Sequence, residues 1–354
     1  MTLYETVRPA LFALPAETAH NLGKQTMGIA QSSETIRRAI RYGYKFRHPM
    51  LEVERFGLTF PTPIGVAAGF DKNGEVMHCL SDLGFGFAEV GTVTPYPQPG
   101  NERPRLFRLP EDEAMINRLA FNSQGTDRVR QRMATNGTPP VPVAVNVGKM
   151  NTSNESEAIE DYRRVVDRLS EYADYFVLNV SCPNTPEEYD EQSPEHLREI
   201  FTTLEAENDE GKPLLVKVGP DSQRGDLDDL VDIVEEFAVD GIVATNTTTD
   251  HDDLTGKHRD EWGGVSGTPL ESAATATVAT LAELTDLPII GVGGVDDAES
   301  AYRKIRAGAC LVQAYTGFVY RGPSLAREIN EGLVRLLRED GFDTIDDAIG
   351  ADLD

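Results

Sequence analysis

Cys182 is the residue in this sequence best placed to move a proton. It follows a short apolar run, residues 175–181, typical of a buried strand, and two amides, Asn179 and Asn184, lie on either side of it. A thiol has an ordinary pKa of about 8.5, closer to neutrality than any hydroxyl, so it can take up or release a proton at modest cost. The amides could hydrogen-bond a polar, anionic substrate beside it. That Cys182 is only a small apolar packing residue stays open as the alternative.

Seven further apolar runs also end in small or polar residues, which predicts a polar pocket where the strand ends meet. These endings are Gly69, Asp71, Lys72 and Asn73; Gly91 and Thr92; Asn146; Lys217; Thr245, Asn246 and Thr247; Gly293 and Gly294; and Tyr315, Thr316 and Gly317. The glycines after the seventh and eighth runs predict a phosphate site, because they let backbone N–H groups approach an anion closely. Tight turns without a ligand are the alternative.

The remaining chemistry of this pocket favours a flavin. It contains two lysines, Lys72 and Lys217, but the sequence offers no cluster of histidines and carboxylates for a catalytic metal. A phosphate anchor, no metal and one candidate base are typical of a flavin mononucleotide (FMN) site. Two other functions stay open: a barrel that binds a phosphorylated ligand without redox chemistry, and an aldolase using Lys217 as a Schiff base, although nothing nearby in sequence would lower that lysine's pKa.

The elements that must position these groups form a repeating pattern. Eight near-continuous apolar runs alternate with helix-like stretches, at residues 63–70, 87–93, 141–148, 175–181, 213–219, 241–247, 288–294 and 310–317. Such runs are typical of parallel strands buried on both faces. We predict an α/β fold, a (β/α)8 TIM barrel, with an open doubly wound sheet as the alternative. Residues 51–61 predict a hairpin that plugs the barrel floor.

The two ends of the chain differ from the barrel. Residues 1–45 predict two or three amphipathic helices, with Ala19, Leu22, Gly23, Met27 and Ala30 on one face and a capping box near Ser33. Residues 46–335 would form the barrel domain. Residues 336–354 are acidic and are expected to be loosely held.

Charge and composition exclude several classes of function. The chain has 59 acidic and 33 basic residues, a net charge of −26, which disfavours nucleic-acid binding and suggests adaptation to high salt. Residues 1–45 instead carry an excess of bases. The sequence contains no run of about 18 apolar residues, so it predicts no membrane span. Cys79, Cys182 and Cys310 lack metal-binding spacing, and we interpret Cys79 and Cys310 as packing residues.

The motifs together resemble one family, the dihydroorotate dehydrogenases, over roughly residues 1–335. The shared stretches include "AAGFDKNG" (67–74), "INRLAFNS" (116–123), "LNVSCPNTP" (178–186), "ATNTT" (244–248), "IIGVGG" (289–294) and "LVQAYTGFVYRGP" (311–323). The resemblance implies oxidation of dihydroorotate to orotate in pyrimidine (UMP) biosynthesis, with FMN as cofactor and no metal.

The resemblance also implies a role for each matching residue. The flavin would contact Ala68, Gly69, Phe70, Asp71, Lys72, Thr92, Asn146, Asn179, Lys217, Thr245, Gly267, Gly294, Tyr315 and Thr316. The substrate would contact Lys72, Asn117, Arg118, Leu119, Ala120, Phe121, Asn179, Asn184, Asn246 and Thr247. Cys182 would be the general base that removes the C5 proton. Residues 184–194 and 250–262 are candidates for a loop that closes over substrate.

The helical extension indicates the electron acceptor. Family members with such an extension pass electrons to a membrane quinone, whereas members without it use fumarate, or NAD through an iron–sulfur partner. The resemblance therefore implies the quinone-linked branch, peripheral at the cytoplasmic face of the cell membrane, with the basic extension on an anionic lipid surface. The alternative is a soluble, fumarate-using enzyme whose extension is only a structural cap. Quinone-linked relatives usually carry serine at the base position, so Cys182 is a departure from that pattern.

Overall fold

The eight apolar runs form eight parallel strands that close into a barrel in the computed structural model, which describes residues 3–184, 193–208, 210–237 and 239–353. The strands of the described chain are β1 (Val53–Arg55), β2 (Leu58–Phe60), β3 (Ile64–Asp71), β4 (Phe87–Val93), β5 (Leu106–Leu109), β6 (Ala114–Asn117), β7 (Val143–Val147), β8 (Tyr175–Asn179), β9 (Leu214–Val218), β10 (Gly241–Ala244), β11 (Gly264–Gly267), β12 (Ile289–Val292) and β13 (Ala309–Ala314).

Barrel closure follows chain order, as the predicted (β/α)8 fold requires. The neighbours run β3, β4, β7, β8, β9, β10, β12 and β13, and β13 pairs with β3 to complete the circle. The strands are buried almost throughout because helices cover their outer faces. Since all eight carboxyl ends point the same way, the polar endings meet at one mouth.

The first three helices of the described chain precede the barrel, and the later helices follow its strands and form the outer layer. In chain order the helices are α1 (Leu3–Phe12), α2 (Ala16–Gln31), α3 (Glu34–Tyr44), α4 (Met77–Asp82), α5 (Thr126–Asn136), α6 (Glu155–Leu169), α7 (Pro194–Glu207), α8 (Arg224–Glu236), α9 (Glu271–Leu284), α10 (Ala298–Arg306), α11 (Thr316–Arg321) and α12 (Leu325–Asp340).

The barrel has a floor and a partial roof. The hairpin of β1 and β2 forms as predicted, and the Phe60 ring packs edge-on against Phe87, with ring centroids 5.4 Å apart, so the hairpin closes the amino-terminal end. Near the mouth, β5, β6 and β11 form a three-stranded antiparallel sheet that the sequence did not reveal. This sheet matters for function because it carries Asn117 and Gly267 to the mouth.

The N-terminal extension contains three helices, α1 to α3, and ion pairs dock it onto the barrel. The buried Asp82 carboxylate accepts from Arg37 Nε at 2.6 Å and from Arg41 Nη1 at 2.9 Å, and Lys24 pairs with Glu75. Much of the positive charge predicted for this segment therefore faces the barrel. The capping box predicted at the start of α3 is wrong, since the Ser33 side chain makes no capping hydrogen bond.

The C-terminal residues are not loosely held, contrary to the expectation from their acidity. The predicted boundary at 335 falls inside α12, and beyond that helix Ile345 and Ala348 are fully buried. The Ile345 amide donates to Met50 O at 2.8 Å, and Asp346 pairs with Arg55 at 2.9 Å. Two apolar residues among many acids are enough to anchor the segment.

The net charge of −26 predicts that salt stabilises the fold. We expect the midpoint temperature of thermal unfolding to rise between 0.1 M and molar KCl, because the Debye length falls to about 3 Å near 1 M and weakens self-repulsion. Calorimetry across a KCl series measures this, with an uncharged osmolyte of equal osmolality as the control. A midpoint that stays constant or falls as salt increases would contradict adaptation to salt.

Candidate active site

A polar cavity opens at the carboxyl ends of the barrel strands and encloses about 1110 Å³ of space, part of it open to solvent. It brings together most of the residues that the sequence predicted. Those lining it are Ala68, Gly69, Lys72, Thr92, Asn117, Leu119, Ala120, Phe121, Asn179, Cys182, Asn184, Lys217, Thr245, Asn246, Thr247, Gly267, Gly294, Tyr315 and Thr316.

A chain of side-chain amides fixes the polar wall of this cavity. Asn146 Oδ1 accepts from Thr92 Oγ1 at 2.6 Å and from Asn179 Nδ2 at 3.2 Å. Asn179 Oδ1 in turn accepts from Asn246 Nδ2 at 3.2 Å. Because each amide has its donor and acceptor ends committed, the wall presents a defined pattern to a ligand.

Cys182 lies half-buried in the loop after β8, at the wall of the cavity. The loop is held by Asn246 Nδ2, which donates to Ser181 O at 2.9 Å. Lys72 lines the same cavity, and burial lowers the pKa of Lys72 to about 8, while the neighbouring Cys182 acts in the opposite direction. Cys182 and the Lys72 ammonium group therefore share one chamber, an arrangement that suits proton transfer beside an anion.

The loop after β6 is held in a strained conformation at the mouth. Ala120 and Phe121 both adopt positive φ angles, 52° and 49°, which side chains with a Cβ rarely adopt. Two amides stabilise the loop: Gln98 Nε2 donates to Phe121 O at 3.0 Å, and Asn151 Nδ2 donates to Ala120 O at 3.1 Å. In this loop conformation the buried Phe121 side chain lies against the cavity.

A cradle of glycines closes the opposite side of the cavity. Gly293 and Gly294, after β12, have φ angles of 110° and 70°, and a Cβ on Gly294 would lie 2.2 Å from Glu271 Cβ. Beside them the hydroxyls of Ser266 and Thr316 lie 2.8 Å apart. Backbone N–H groups and hydroxyls without a nearby Cβ suit a phosphate group.

Three polar atoms of the cavity lining are left open to a ligand. Among the described residues, Thr247 Oγ1, Asn184 Oδ1 and Gln313 Oε1 are buried without a hydrogen-bond partner, and all three residues line the cavity. Buried polar atoms are rarely left unpaired, so these atoms indicate where ligands bind.

Four of the predicted site residues do not line the cavity. Phe70 turns outward and packs on Phe318, with ring centroids 4.9 Å apart, and Asp71 accepts from the backbone amides of Glu75 and Val76. Asn146 lies beneath the cavity within the amide chain described above. Arg118 points away, towards Glu261 at 2.8 Å and the Trp262 ring. The side chains of Phe70, Asp71 and Arg118 therefore support the site rather than face it.

A second cavity, which is apolar, lies between the extension and the barrel and encloses about 1450 Å³ of space, part of it open to solvent. The predicted apolar face of α2 lines it, namely Ala19, Leu22, Gly23, Met27 and Ala30. Leu106 and Met115 line both cavities, so only a thin wall separates them. The sequence predicted the helical face but could not show that it encloses a space.

Two polar residues of this apolar cavity escaped sequence reasoning, His20 and Arg108. The His20 ring packs edge-on against Phe70 and parallel to Tyr315, at 5.1 and 6.5 Å between centroids. Burial lowers the pKa of His20 to about 4, so the imidazole is neutral at pH 7. No local pattern in the sequence marks either residue.

Of the two candidate closing loops, one is well anchored. Within residues 250–262, the Thr255 and Gly256 amides donate to Asp112, and His251 bonds the backbone of Arg259 and Gly263. Most of the other candidate, residues 185–192, lies outside the described residues.

Barrel and cavity together define a (β/α)8 protein with a ligand-sized cavity at the strand ends. Residues 50–337 match the family model described as dihydroorotate dehydrogenase, and the chain belongs to that family.

Several proteins of known name are similar to this chain over nearly its whole length. A protein named dihydroorotate dehydrogenase (quinone) from Natronomonas pharaonis is 49% identical over 354 residues, covering 100% of both chains. Another of the same name from Sulfurovum sp. is 42% identical and covers 99% of this chain and 98% of its own. The crystal structure of ligand-free DHODH (dihydroorotate dehydrogenase) from Eimeria tenella superimposes with a TM-score of 0.87, at 36% identity, covering 96% of this chain and 99% of that one.

Proposed function

We propose that this protein oxidises dihydroorotate to orotate in pyrimidine biosynthesis, with FMN as cofactor and a membrane quinone as electron acceptor. One observation carries the proposal: a polar cavity holding Cys182 and Lys72 is separated by a thin wall from an apolar cavity beneath the extension. A polar substrate and an apolar acceptor can therefore approach the same cofactor from different sides. The relatives named as quinone-linked enzymes support this reading.

FMN would lie across the strand ends, its phosphate in the cradle of Gly293 and Gly294, beside Gly267 and Thr316. When bound, the flavin accepts a hydride from the substrate and passes electrons to the acceptor. Lys217 lines the cavity and is nearly fully buried, so its positive charge can offset negative charge on the reduced ring. Tyr315 separates this ring site from His20 of the extension.

Dihydroorotate would bind between Lys72 and the amide wall. The Lys72 ammonium can pair with the substrate carboxylate, and Asn117, Asn184 and Asn246 can hydrogen-bond the ring's polar groups. The Cys182 thiolate then takes the C5 proton and becomes a thiol. Phe121, which is buried at the cavity wall, would keep water away from this transfer.

The quinone would enter the apolar cavity through the extension. Its ring carries two carbonyl oxygens and needs hydrogen-bond donors, which the Arg108 guanidinium can supply; the single N–H of the neutral His20 imidazole is already bonded to the Phe70 backbone. The guanidinium is held by the backbone carbonyls of Leu11 and Phe12, at 3.3 Å each, so it stays at the cavity wall.

An acceptor assay separates this proposal from the fumarate-using alternative. Purified protein is given dihydroorotate with either a short-chain quinone or fumarate, and orotate formation is followed. The proposal expects turnover with quinone and none with fumarate. Turnover with fumarate alone would make the extension a structural cap.

We also propose that the extension attaches the protein peripherally to the cytoplasmic face of the membrane. Within the described residues no helix is long and apolar enough to cross a bilayer. Six of the eight large apolar side chains exposed in the described chain belong to the extension, with Ile29 at 70% exposure. The bases of the extension contribute less than their number suggested: Lys24 is only 13% exposed and pairs with Glu75, and Arg38, although 77% exposed, pairs with Glu34.

This arrangement predicts attachment through apolar contact, which salt strengthens rather than screens. We expect the protein to float with lipid vesicles in molar KCl, and Ile29→Ser with Ile36→Ser to reduce the bound fraction several-fold. Arg38→Gln serves as the matched charge variant and should change binding little. Binding that disappears in molar salt, or in Arg38→Gln alone, would instead support the anionic-surface prediction.

The lowered pKa of Lys72, about 8, predicts a pH-dependent KM. The ammonium that pairs with the substrate carboxylate is present below this pKa and is lost as pH rises through it. We expect KM for dihydroorotate to rise about tenfold per pH unit above the alkaline midpoint, with bound substrate shifting that midpoint upward. Arginine keeps its charge in this pH range, so KM should increase much less with pH in Lys72→Arg. An equal increase of KM in that variant would show that Lys72 does not cause the pH dependence.

A further inference from the structure

A buried carboxylate lies beneath the polar cavity and pairs with two amides. Glu89, on β4, is 1% exposed and faces the barrel interior. One of its oxygens accepts from Asn146 Nδ2 at 2.6 Å, and the other accepts from Gln313 Nε2 at 2.6 Å. Neither Glu89 nor Gln313 figured in the site predicted from the sequence.

These bonds fix which way both amides face. A carboxylate only accepts hydrogen bonds, so Asn146 and Gln313 must each turn their NH2 groups towards Glu89 and their oxygens away from it. For Asn146 that oxygen serves Thr92 and Asn179, as described above. Gln313 Oε1, by contrast, has no hydrogen-bond partner among the described residues, although Gln313 is fully buried and lines the cavity.

We propose that Gln313 Oε1 accepts the N3–H of the flavin ring, and that Glu89 is the positioning residue that aims it. The inference rests on the FMN site of the proposed function. Oxidised isoalloxazine has a single N–H donor, at N3, so a fixed acceptor at the cavity wall specifies one edge of the ring. A buried acceptor that is held in place and left unpaired by the protein suits a ligand that brings one donor.

Substitution of either residue tests the pairing through flavin affinity, measured on the holoenzyme by equilibrium dialysis. Gln313→Met keeps the volume but removes the acceptor, and we expect the Kd for FMN to rise about tenfold. In Glu89→Gln, the new amide must donate to Gln313, which then turns its own NH2 towards the flavin N–H. We expect the Kd for FMN to rise in this variant by at least as much as in Gln313→Met. Exchanging the two, Glu89→Gln with Gln313→Glu, restores an acceptor at the wall and should recover affinity.

Asn330→Leu is the matched control. Asn330 is also fully buried, and its Oδ1 also lacks a partner in the described part of the chain, but it lies in α12 and does not line the cavity. This variant should lower the unfolding temperature without changing the Kd for FMN. An equal loss of affinity in Asn330→Leu would show that the effect is structural and would overturn the inference.

A spectroscopic readout reports the hydrogen bond itself. The Raman shift of the flavin N3–H bending mode between H2O and D2O should differ between wild type and Gln313→Met, in whatever fraction of the variant retains flavin. Unchanged affinity together with an unchanged Raman shift would overturn this inference alone. A wild-type protein that binds no flavin would contradict the proposed function itself.

Discussion

Replacing Cys182 with alanine should leave the flavin bound and slow its reduction by dihydroorotate by about 10²- to 10⁴-fold, the usual contribution of a general base. The cavity keeps its amides, lysines and glycine cradle, so binding of FMN and substrate should change little. Stopped-flow absorbance of the flavin under anaerobic conditions measures the reduction rate directly. The loss should fall on this rate rather than on the Kd for substrate.

Two further cysteine variants make this result specific. Cys310→Ala removes a buried thiol that donates to Ile289 O within the barrel wall, away from the cavity lining, and should leave the reduction rate unchanged. Cys182→Ser keeps a proton acceptor with a much higher pKa. Its reduction rate should therefore lie between those of the wild type and Cys182→Ala, and should increase with pH. Wild-type reduction in Cys182→Ala would remove Cys182 from the mechanism.

Filling the apolar cavity should block electron transfer from the reduced flavin to quinone and leave oxidation of dihydroorotate unaffected. A Cβ added at Gly23 would meet no atom within 4 Å, and Gly23 lines the cavity, so the side chain of Gly23→Leu enters the space proposed for quinone. We expect reoxidation of the flavin by a quinone analogue to slow at least tenfold, while reduction by dihydroorotate keeps its rate. Sequential-mixing stopped-flow separates the two rates.

Gly43 provides the control for this variant. It also lies in a helix of the extension with no atom within 4 Å of an added Cβ, but it is exposed and does not line the cavity. Gly43→Leu and Gly23→Leu gain similar helix propensity, so folding differences should not separate them. Equal quinone rates in the two variants would place the acceptor elsewhere.

Much of the barrel was predictable because its signals are local. Each buried strand is a continuous apolar run, and the polar residues that follow it identify the carboxyl end. The face of α2 was predictable for the same reason, since residues 19, 22, 23, 27 and 30 recur at helical spacing.

What the sequence concealed depends on contacts between distant residues. The roof sheet pairs β6 with β11, about 150 residues later, and no local pattern encodes that pairing. The number of bases in the extension predicts a positive surface, but it cannot show that Arg37 and Arg41 form ion pairs with Asp82 on the barrel. Glu89 and Gln313 did leave a signal, a polar residue inside each of two apolar runs, but only the closed barrel shows that they meet.

An anaerobic titration shows whether dihydroorotate and a quinone exchange electrons through one bound flavin. The purified protein should show the visible absorption of oxidised flavin, lose it on addition of one equivalent of dihydroorotate, and regain it when a quinone analogue is added. A colourless protein, or a flavin spectrum that dihydroorotate leaves unchanged, would contradict the account.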